Sequence, residues 1–341
     1  LADLPLVLFG ACDRHNCGDL LFPHLVAAAH PGREIHYCGL ATRDLRPFGG
    51  HAVQALPEAL ARLAGRPYEL IHVGGELLDC DAYTAAVMLE DAAGAQAAIA
   101  RYDADRPAPY VLDKTDLPGC VRLAFNAVGG VDLAARPEAL RRAVLAALAR
   151  ADELTVRDAT TQAALAAAGI AAKLAPDPVS ALPAHPMSAA LRERGAALHA
   201  GHGDYLAAQF SADCGDDASL AALAAELEQR ADGKAIVLFR AGAAPWHDAL
   251  EPYARLAARL GARCHIFTDL DIREICALIV GAAGYVGASL HGCIVARAFG
   301  VPAVGLERTT GAGRKLRAWR AAWAPDMPVI ALDAQAKGED S

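Results

Sequence analysis

Little in this 341-residue sequence is arranged to hold a metal, cross a membrane or grip a nucleic acid. Its nine cysteines are scattered, with no C-x-x-C pair and no Cys/His ligand spacing. That pattern argues against structural zinc and against a disulfide framework, and it fits a reducing cytoplasm. No apolar run approaches the ~20 residues a membrane span requires, because charges interrupt every one. No basic start followed by an apolar core marks a secretory signal. Positive charge is not in excess either: 32 Lys and Arg face 40 Asp and Glu, a formal net charge of −8. An acidic chain gains nothing from a phosphate backbone, so DNA and RNA are discounted as partners. The G-x-G-x-x-G fingerprint of dinucleotide sites is missing, and no internal repeat is visible.

What the chain has is alternation. Candidate strands are Leu6–Phe9, Ile35–Cys38, Leu70–Val73, Leu123–Ala127 and Leu154–Val156. A second series follows at Tyr205–Gln209, Ile236–Phe239, Cys264–Phe267, Tyr285–Val286 and Ala303–Leu306. Ala-rich helical stretches at 137–151, 159–168, 218–231, 248–260, 272–281 and 293–299 separate them. This alternation predicts an α/β fold with parallel sheets covered by helices on both faces. The break falls at Pro176–Pro186, where prolines at 176, 178, 183 and 186 interrupt any helix. The expectation is therefore two Rossmann-like domains, 1–182 and 187–330, with parallel sheets facing a cleft.

In such sheets ligands bind beyond the carboxyl ends of the strands, and polar residues gather at these points here. After the first strand come Asn16, Gly18 and Asp19. Asp19 reads as a base or hydroxyl-orienting carboxylate, or the group reads as a helix cap with a turn glycine. Gly74 and Gly75 end the third strand, allowing either close backbone approach to a ligand or a tight turn, with the turn favoured. Arg157 follows Val156 and has the shape to grip an anion in a bidentate way; the alternative is an ion pair at a helix start. Asp158 is the expected helix cap, leaving Arg157 to point at the cleft, and Asp177 reads as a turn residue.

The second half repeats the pattern. Arg240 and the loop Trp246-His247-Asp248 follow one strand and suit sugar stacking and hydrogen bonding, or plain packing. Ser289-Leu290-His291-Gly292 follows Tyr285-Val286 and opens a helix. A helix start offers free N–H groups to an anion, and a His there can move a proton; a Ser289 cap with His291 in the first turn is the equal alternative. Glu307 and Arg308 extend the last strand, and Arg314, Lys315, Arg317 and Arg320 read as a solvated helix face.

Taken in order, these clusters resemble the polysaccharide pyruvyl transferase family. The matching pieces are N-x-G-D (Asn16 to Asp19), the glycine pair at 74–75, V-R-D (Val156 to Asp158), P-D-P (Pro176 to Pro178), S-L-H-G (289–292) and A-x-x-x-G-x-P (Ala296 to Pro302). The resemblance implies a fold like the two-Rossmann glycosyltransferases called GT-B, with residues 1–182 on the acceptor side and 187–330 on the donor side. It implies transfer of the pyruvyl group of phosphoenolpyruvate onto a sugar as a ketal, with no cofactor and no metal. The acceptor would be a sugar, oligosaccharide or lipid-linked saccharide, in a cytoplasmic enzyme associated with a membrane biosynthetic complex and lacking its own span. His291 would be the acid and Asp19 the base. Asn16, Gly18, Gly74, Gly75, Arg157, Arg240, His247, Ser289, Leu290, Gly292 and Arg308 would contact substrate.

One departure stands out. Many members carry Arg-Leu-His where this chain has Ser289-Leu290-His291, so the anion clamp would fall to Arg157, Arg240, Arg308 and the helix N-terminus. Two other readings share the fold: a glycosyltransferase using a nucleotide-sugar donor, with Glu307 on the ribose, and a catalytically silent member that binds glycans.

Overall fold

The computed structural model describes residues 4–90, 92–211, 214–244, 249–307 and 313–332. The chain divides into two compact units. The first comprises Leu1–His185, Gly242–Trp246 and Ala318–Pro325; the second comprises Pro186–Ala241, His247–Arg317 and Asp326–Ser341. Neither is one continuous stretch, because two short segments late in the chain pack with the first unit.

The first unit carries strands β1 (Leu6–Phe9), β2 (Ile35–Gly39), β3 (Arg43–Asp44), β4 (Ala52–Ala55), β5 (Tyr68–Val73), β6 (Cys120–Val128), β7 (Glu153–Val156) and β8 (Lys173–Leu174). They form one eight-stranded sheet in the order β3-β4-β2-β1-β5-β6-β7-β8. All pairs are parallel except β3 with β4, an antiparallel edge that departs from the all-parallel expectation. Central strands are buried end to end, as LVLF in β1 and YELIHV in β5 show. Burial along the whole strand is what a sheet covered on both faces requires; in β5 the buried polar residues are bonded, Glu69 by Arg33 and His72 by Leu112 N. The strand order reverses direction between β1 and β5, and a crevice at such a switch point is where open α/β sheets take ligands.

The second unit carries β9 (Tyr205–Gln209), β10 (Ala235–Phe239), β11 (Cys264–Phe267), β12 (Gly284–Gly287), β13 (Ala303–Glu307) and β14 (Val329–Ala331). Its six strands are wholly parallel in the order β11-β10-β9-β12-β13-β14. The switch point here lies between β9 and β12. Helices cover the sheet with apolar stripes. In Glu251–Leu260, Tyr253, Leu256 and Leu260 are buried, while Arg255 and Arg259 reach Asp217 at 3.0 and 2.6 Å. Three such side chains stabilise the docked helix by about 1.5–3 kcal/mol each. Among the described residues no helix is long and apolar enough to cross a membrane.

Candidate functional site

Both switch points are furnished by residues that the sequence marks. In the first unit β1 ends at Phe9, and the chain turns through Gly10, whose missing Cβ lets the Val73 carbonyl of β5 lie against it. Asn16 then caps the helix Cys17–Ala28: its side-chain oxygen accepts from Gly18 N at 3.1 Å and Asp19 N at 3.4 Å. Gly18 is buried in the first turn. The capping alternative therefore describes Asn16, whereas Gly18 is helical and not the positive-φ turn glycine expected. Asp19 lies beside Arg14, with Oδ2 3.6 Å from Nη2, and both side chains are about nine-tenths buried.

Arg14 and its neighbour Asp13 are the residues that the sequence reading overlooked. Asp13 is buried. It accepts from Leu40 N at 2.6 Å, Ala41 N at 3.1 Å and the Tyr110 hydroxyl at 3.0 Å. Burial pushes the Asp13 carboxyl up; Arg14 and these donors oppose it. Burial works against the Arg14 charge, yet Tyr110, Asp19, Cys80 and Asp13 hold its pKa above the usual arginine value. The only advance signal was an acid–base pair, Asp13-Arg14, immediately after an apolar strand.

The glycine pair after β5 serves the turn. Gly74 has φ of +152°, a region that favours glycine. Gly75 O accepts from Gly129 N at 2.7 Å, and a Cβ on Gly75 would crowd Arg157 Nη1 at 3.0 Å. Opposite it, β6 shifts register between Phe125 and Val128, with Ala127 at φ +48°. That bulge is held by Thr155 Oγ1, which accepts from Ala127 N at 2.7 Å.

Arg157 requires a correction. It does not point outward as an anion clamp. Its residue is 1% exposed, and the guanidinium is bound by Glu76 and by Asp177 Oδ2 at 3.0 Å. A cation already bonded to two carboxylates has no net charge to offer a ligand, so its role is to bolt β5, β7 and the Asp177 turn together. The Trp323 indole adds to this by donating to the Arg157 carbonyl at 2.7 Å. Asp158 caps its helix as expected, accepting from Thr161 N at 2.7 Å. Asp177 caps the Pro178–Ala184 turn through Val179 N at 3.0 Å. Nearby, burial and then the Glu76 charge push the Asp79 carboxyl up to about 7.

In the second unit Ser289 caps the helix Leu290–Ala298, its oxygen accepting from Gly292 N at 3.2 Å. Its own N–H donates to Gln209 Oε1 at 2.8 Å, so the last residue of β9 anchors the turn that follows β12. Gln209 is the second site residue that the reading missed; a polar residue closing the apolar strand YLAAQ was its signal. A Cβ on Gly292 would strike the Tyr285 hydroxyl, so this glycine makes room for the ring beneath it. Leu290 corrects another expectation: its side chain is 2% exposed and packs inward instead of meeting a substrate. His291 sits half-buried in the first helical turn, at the carboxyl side of the switch point.

Arg240 is half-buried just past β10. Glu307, at the end of β13, is 7% exposed; Arg317 donates to one of its oxygens at 2.8 Å, and the other has no hydrogen-bond partner. Arg317 thus orients a site carboxylate and is not merely part of a solvated face. Trp246, His247, Asp248 and Arg308 lie outside the described residues. Among the described residues no three His, Cys, Asp or Glu are grouped to hold a metal ion.

The family model for polysaccharide pyruvyl transferase matches residues 119–310, more than half of the chain. That span takes in Arg157, Asp177 and the Ser289–Gly292 turn but stops short of Asn16–Asp19 and the glycine pair. Among solved structures, the UDP-GlcNAc 2-epimerase of Methanocaldococcus jannaschii is similar over 97% of this chain and 89% of its own, with a TM-score of 0.59 at 13% identity. The Neisseria meningitidis UDP-GlcNAc 2-epimerase bound to UDP-GlcNAc is similar over 97% and 88%, TM-score 0.57, 13% identity. HepE of Anabaena in complex with UDP-glucose is similar over 90% and 81%, TM-score 0.52, 14% identity. At these identities the likeness shows the fold alone, the two-Rossmann GT-B class. No curated protein matches the sequence significantly.

Proposed function

The chain belongs to the polysaccharide pyruvyl transferase family, and from that premise we propose that it transfers the pyruvyl group of phosphoenolpyruvate onto a sugar as a cyclic ketal. The observation that carries this reading is the position of His291. It stands at the switch point of the second sheet, on a helix start whose cap is fixed by Ser289 and Gln209. A His held there can serve as a general acid.

The chemistry needs that proton. Protonation of the methylene carbon of phosphoenolpyruvate makes C2 an oxocarbenium-like centre. A sugar hydroxyl attacks C2 and gives up its proton. Phosphate then leaves with the C2–O electron pair, and a second hydroxyl attacks and loses its proton. The sum is phosphoenolpyruvate plus a diol giving a pyruvate ketal plus inorganic phosphate. No metal or cofactor is needed to balance it. Arg157 is committed to Glu76 and Asp177; the start of the Leu290–Ala298 helix supplies attraction for the donor's charge, and Arg240, half-buried just past β10, is the cation tested for a share in it.

The rival reading is glycosyl transfer from a nucleotide sugar, favoured by the buried Glu307 oxygen without a partner. Thermal unfolding with phosphoenolpyruvate, UDP and GDP as separate ligands distinguishes the two. A rise in melting temperature with phosphoenolpyruvate that His291→Ala or Arg240→Gln reduces supports pyruvyl transfer. A rise with a nucleotide alone contradicts it.

A further inference from the structure

The first switch point holds a donor–acceptor pair that no other interaction completes. Arg14 is about nine-tenths buried and lies over the Tyr110 ring, 5.3 Å from its centroid. Tyr110 is in turn fixed by its hydroxyl on Asp13, and Asp13 by two backbone N–H groups. The guanidinium is therefore preorganised, with a cation–π contact beneath it. Nevertheless its Nε and Nη1 have no hydrogen-bond partner. Its Nη2 comes no closer than 3.6 Å to Asp19 Oδ2, beyond the usual hydrogen-bond distance. Nε and Nη1 are sealed inside the fold, so the edge that a ligand can meet is Nη2 beside Asp19 Oδ2, on side chains that keep about a tenth of their surface exposed.

Charge decides the class of ligand. The single positive charge of Arg14 already faces the carboxyls of Asp13 and Asp19, so an anion would meet no net attraction. A neutral group that accepts and donates at once is favoured, and that group is a hydroxyl. An oxygen about 2.8 Å from both Nη2 and Oδ2 spans the gap as the apex of a shallow triangle. It would accept from Arg14 and donate to Asp19.

We propose that Arg14 and Asp19 form a binding pair for the hydroxyls of a neutral sugar ring, with Arg14 donating to a hydroxyl that in turn donates to Asp19. Only the naming of that sugar as the pyruvyl acceptor rests on the reading above; the pair itself does not. Saturation-transfer NMR on the full chain with free galactose, glucose, mannose and N-acetylglucosamine tests it. Arg14→Lys keeps the charge and loses the fork; Asp19→Asn keeps the shape and loses the acceptor strength. At least one hexose is expected to bind the parent, and both variants to weaken it by at least about tenfold. In Arg14→Lys the thermal shift with phosphoenolpyruvate stays as in the parent. Equal hexose binding in parent and variants overturns the proposal, as does the absence of any hexose binding. Loss of phosphoenolpyruvate binding in Arg14→Lys, with hexose binding intact, overturns it in favour of an anion site. Hexose binding without phosphoenolpyruvate turnover supports the pair while sinking the pyruvyl-transfer reading.

Discussion

The two units share a sheet topology around their switch points but furnish them differently. The first fills the strand ends with buried ionisable groups: Arg157 paired with Glu76 and Asp177, Asp13 bonded by the Tyr110 hydroxyl, and Asp79, whose carboxyl burial and the Glu76 charge push up. The second builds its corresponding turn from neutral groups, Gln209, Ser289, Tyr285 and Gly292, and leaves the half-buried His291 on top. The contrast teaches that a buried charge at a strand end is not by itself a ligand group. Where partners satisfy it, as at Arg157, it is scaffold; where they do not, as at Arg14 and one oxygen of Glu307, it is a candidate contact.

The comparison breaks most visibly if His291 is dispensable. We predict that His291→Ala lowers turnover by roughly 10²–10⁴-fold, the usual share of a general acid, while far-ultraviolet circular dichroism and melting temperature stay at parent values. A variant within a few-fold of the parent removes the proposed acid. The scaffold side is tested next by Arg157→Met. It strands Asp177, whose side chain is fully buried, and the partly buried Glu76, so a loss of about 3–5 kcal/mol is expected. Urea unfolding followed at Trp319 and Trp323, both within the first unit, measures it. A loss below about 1 kcal/mol would mean that the network carries little of the fold.

A pH experiment sharpens the same contrast. The folded Asp79 carboxyl is pushed up to about 7 by burial, above its unfolded value near 4. Its stabilising share is therefore full below about pH 4 and is lost as pH rises through about 7. Asp79→Asn should remove that slope, leaving the variant more stable than the parent at pH 8 by on the order of 2–4 kcal/mol and near parity only at about pH 4. Parallel pH profiles for parent and variant would place a charged, well-solvated carboxylate there instead. The smallest effect is predicted for Ser289→Ala. Losing the cap on Gly292 N costs about 1 kcal/mol, read as faster amide exchange at Gly292 with the first unit unaffected.

Strands and switch points were legible because buried parallel strands read as apolar runs and their exits carry polar residues. β3, β4, β8 and β14 were not legible: Arg43, Asp44, Lys173 and Leu174 are all exposed and look like loop, and β4 and β14 are short with one buried residue each. The caps at Asn16 and Ser289 were visible as alternatives, Asp158 as the expected cap and Asp177 as a turn residue, since capping is local. Arg157 was misjudged because its partners Glu76 and Asp177 lie 81 and 20 residues away. Arg14 was passed over for a similar reason: the Tyr110–Asp13 contact that fixes its surroundings spans 97 residues. Satisfaction of a charge is a tertiary property, and adjacent sequence does not report it.

The account's central claim is that the chain makes a pyruvate ketal at the expense of phosphoenolpyruvate. Its most direct test is release of inorganic phosphate from phosphoenolpyruvate in the presence of hexosides and lipid-linked saccharides, with the sugar product analysed by mass spectrometry. The prediction is phosphate release that requires an acceptor, matched by an acid-labile pyruvyl adduct on it, and lost in His291→Ala. Phosphoenolpyruvate left intact, while the same acceptors are glycosylated from a UDP- or GDP-sugar, would contradict it.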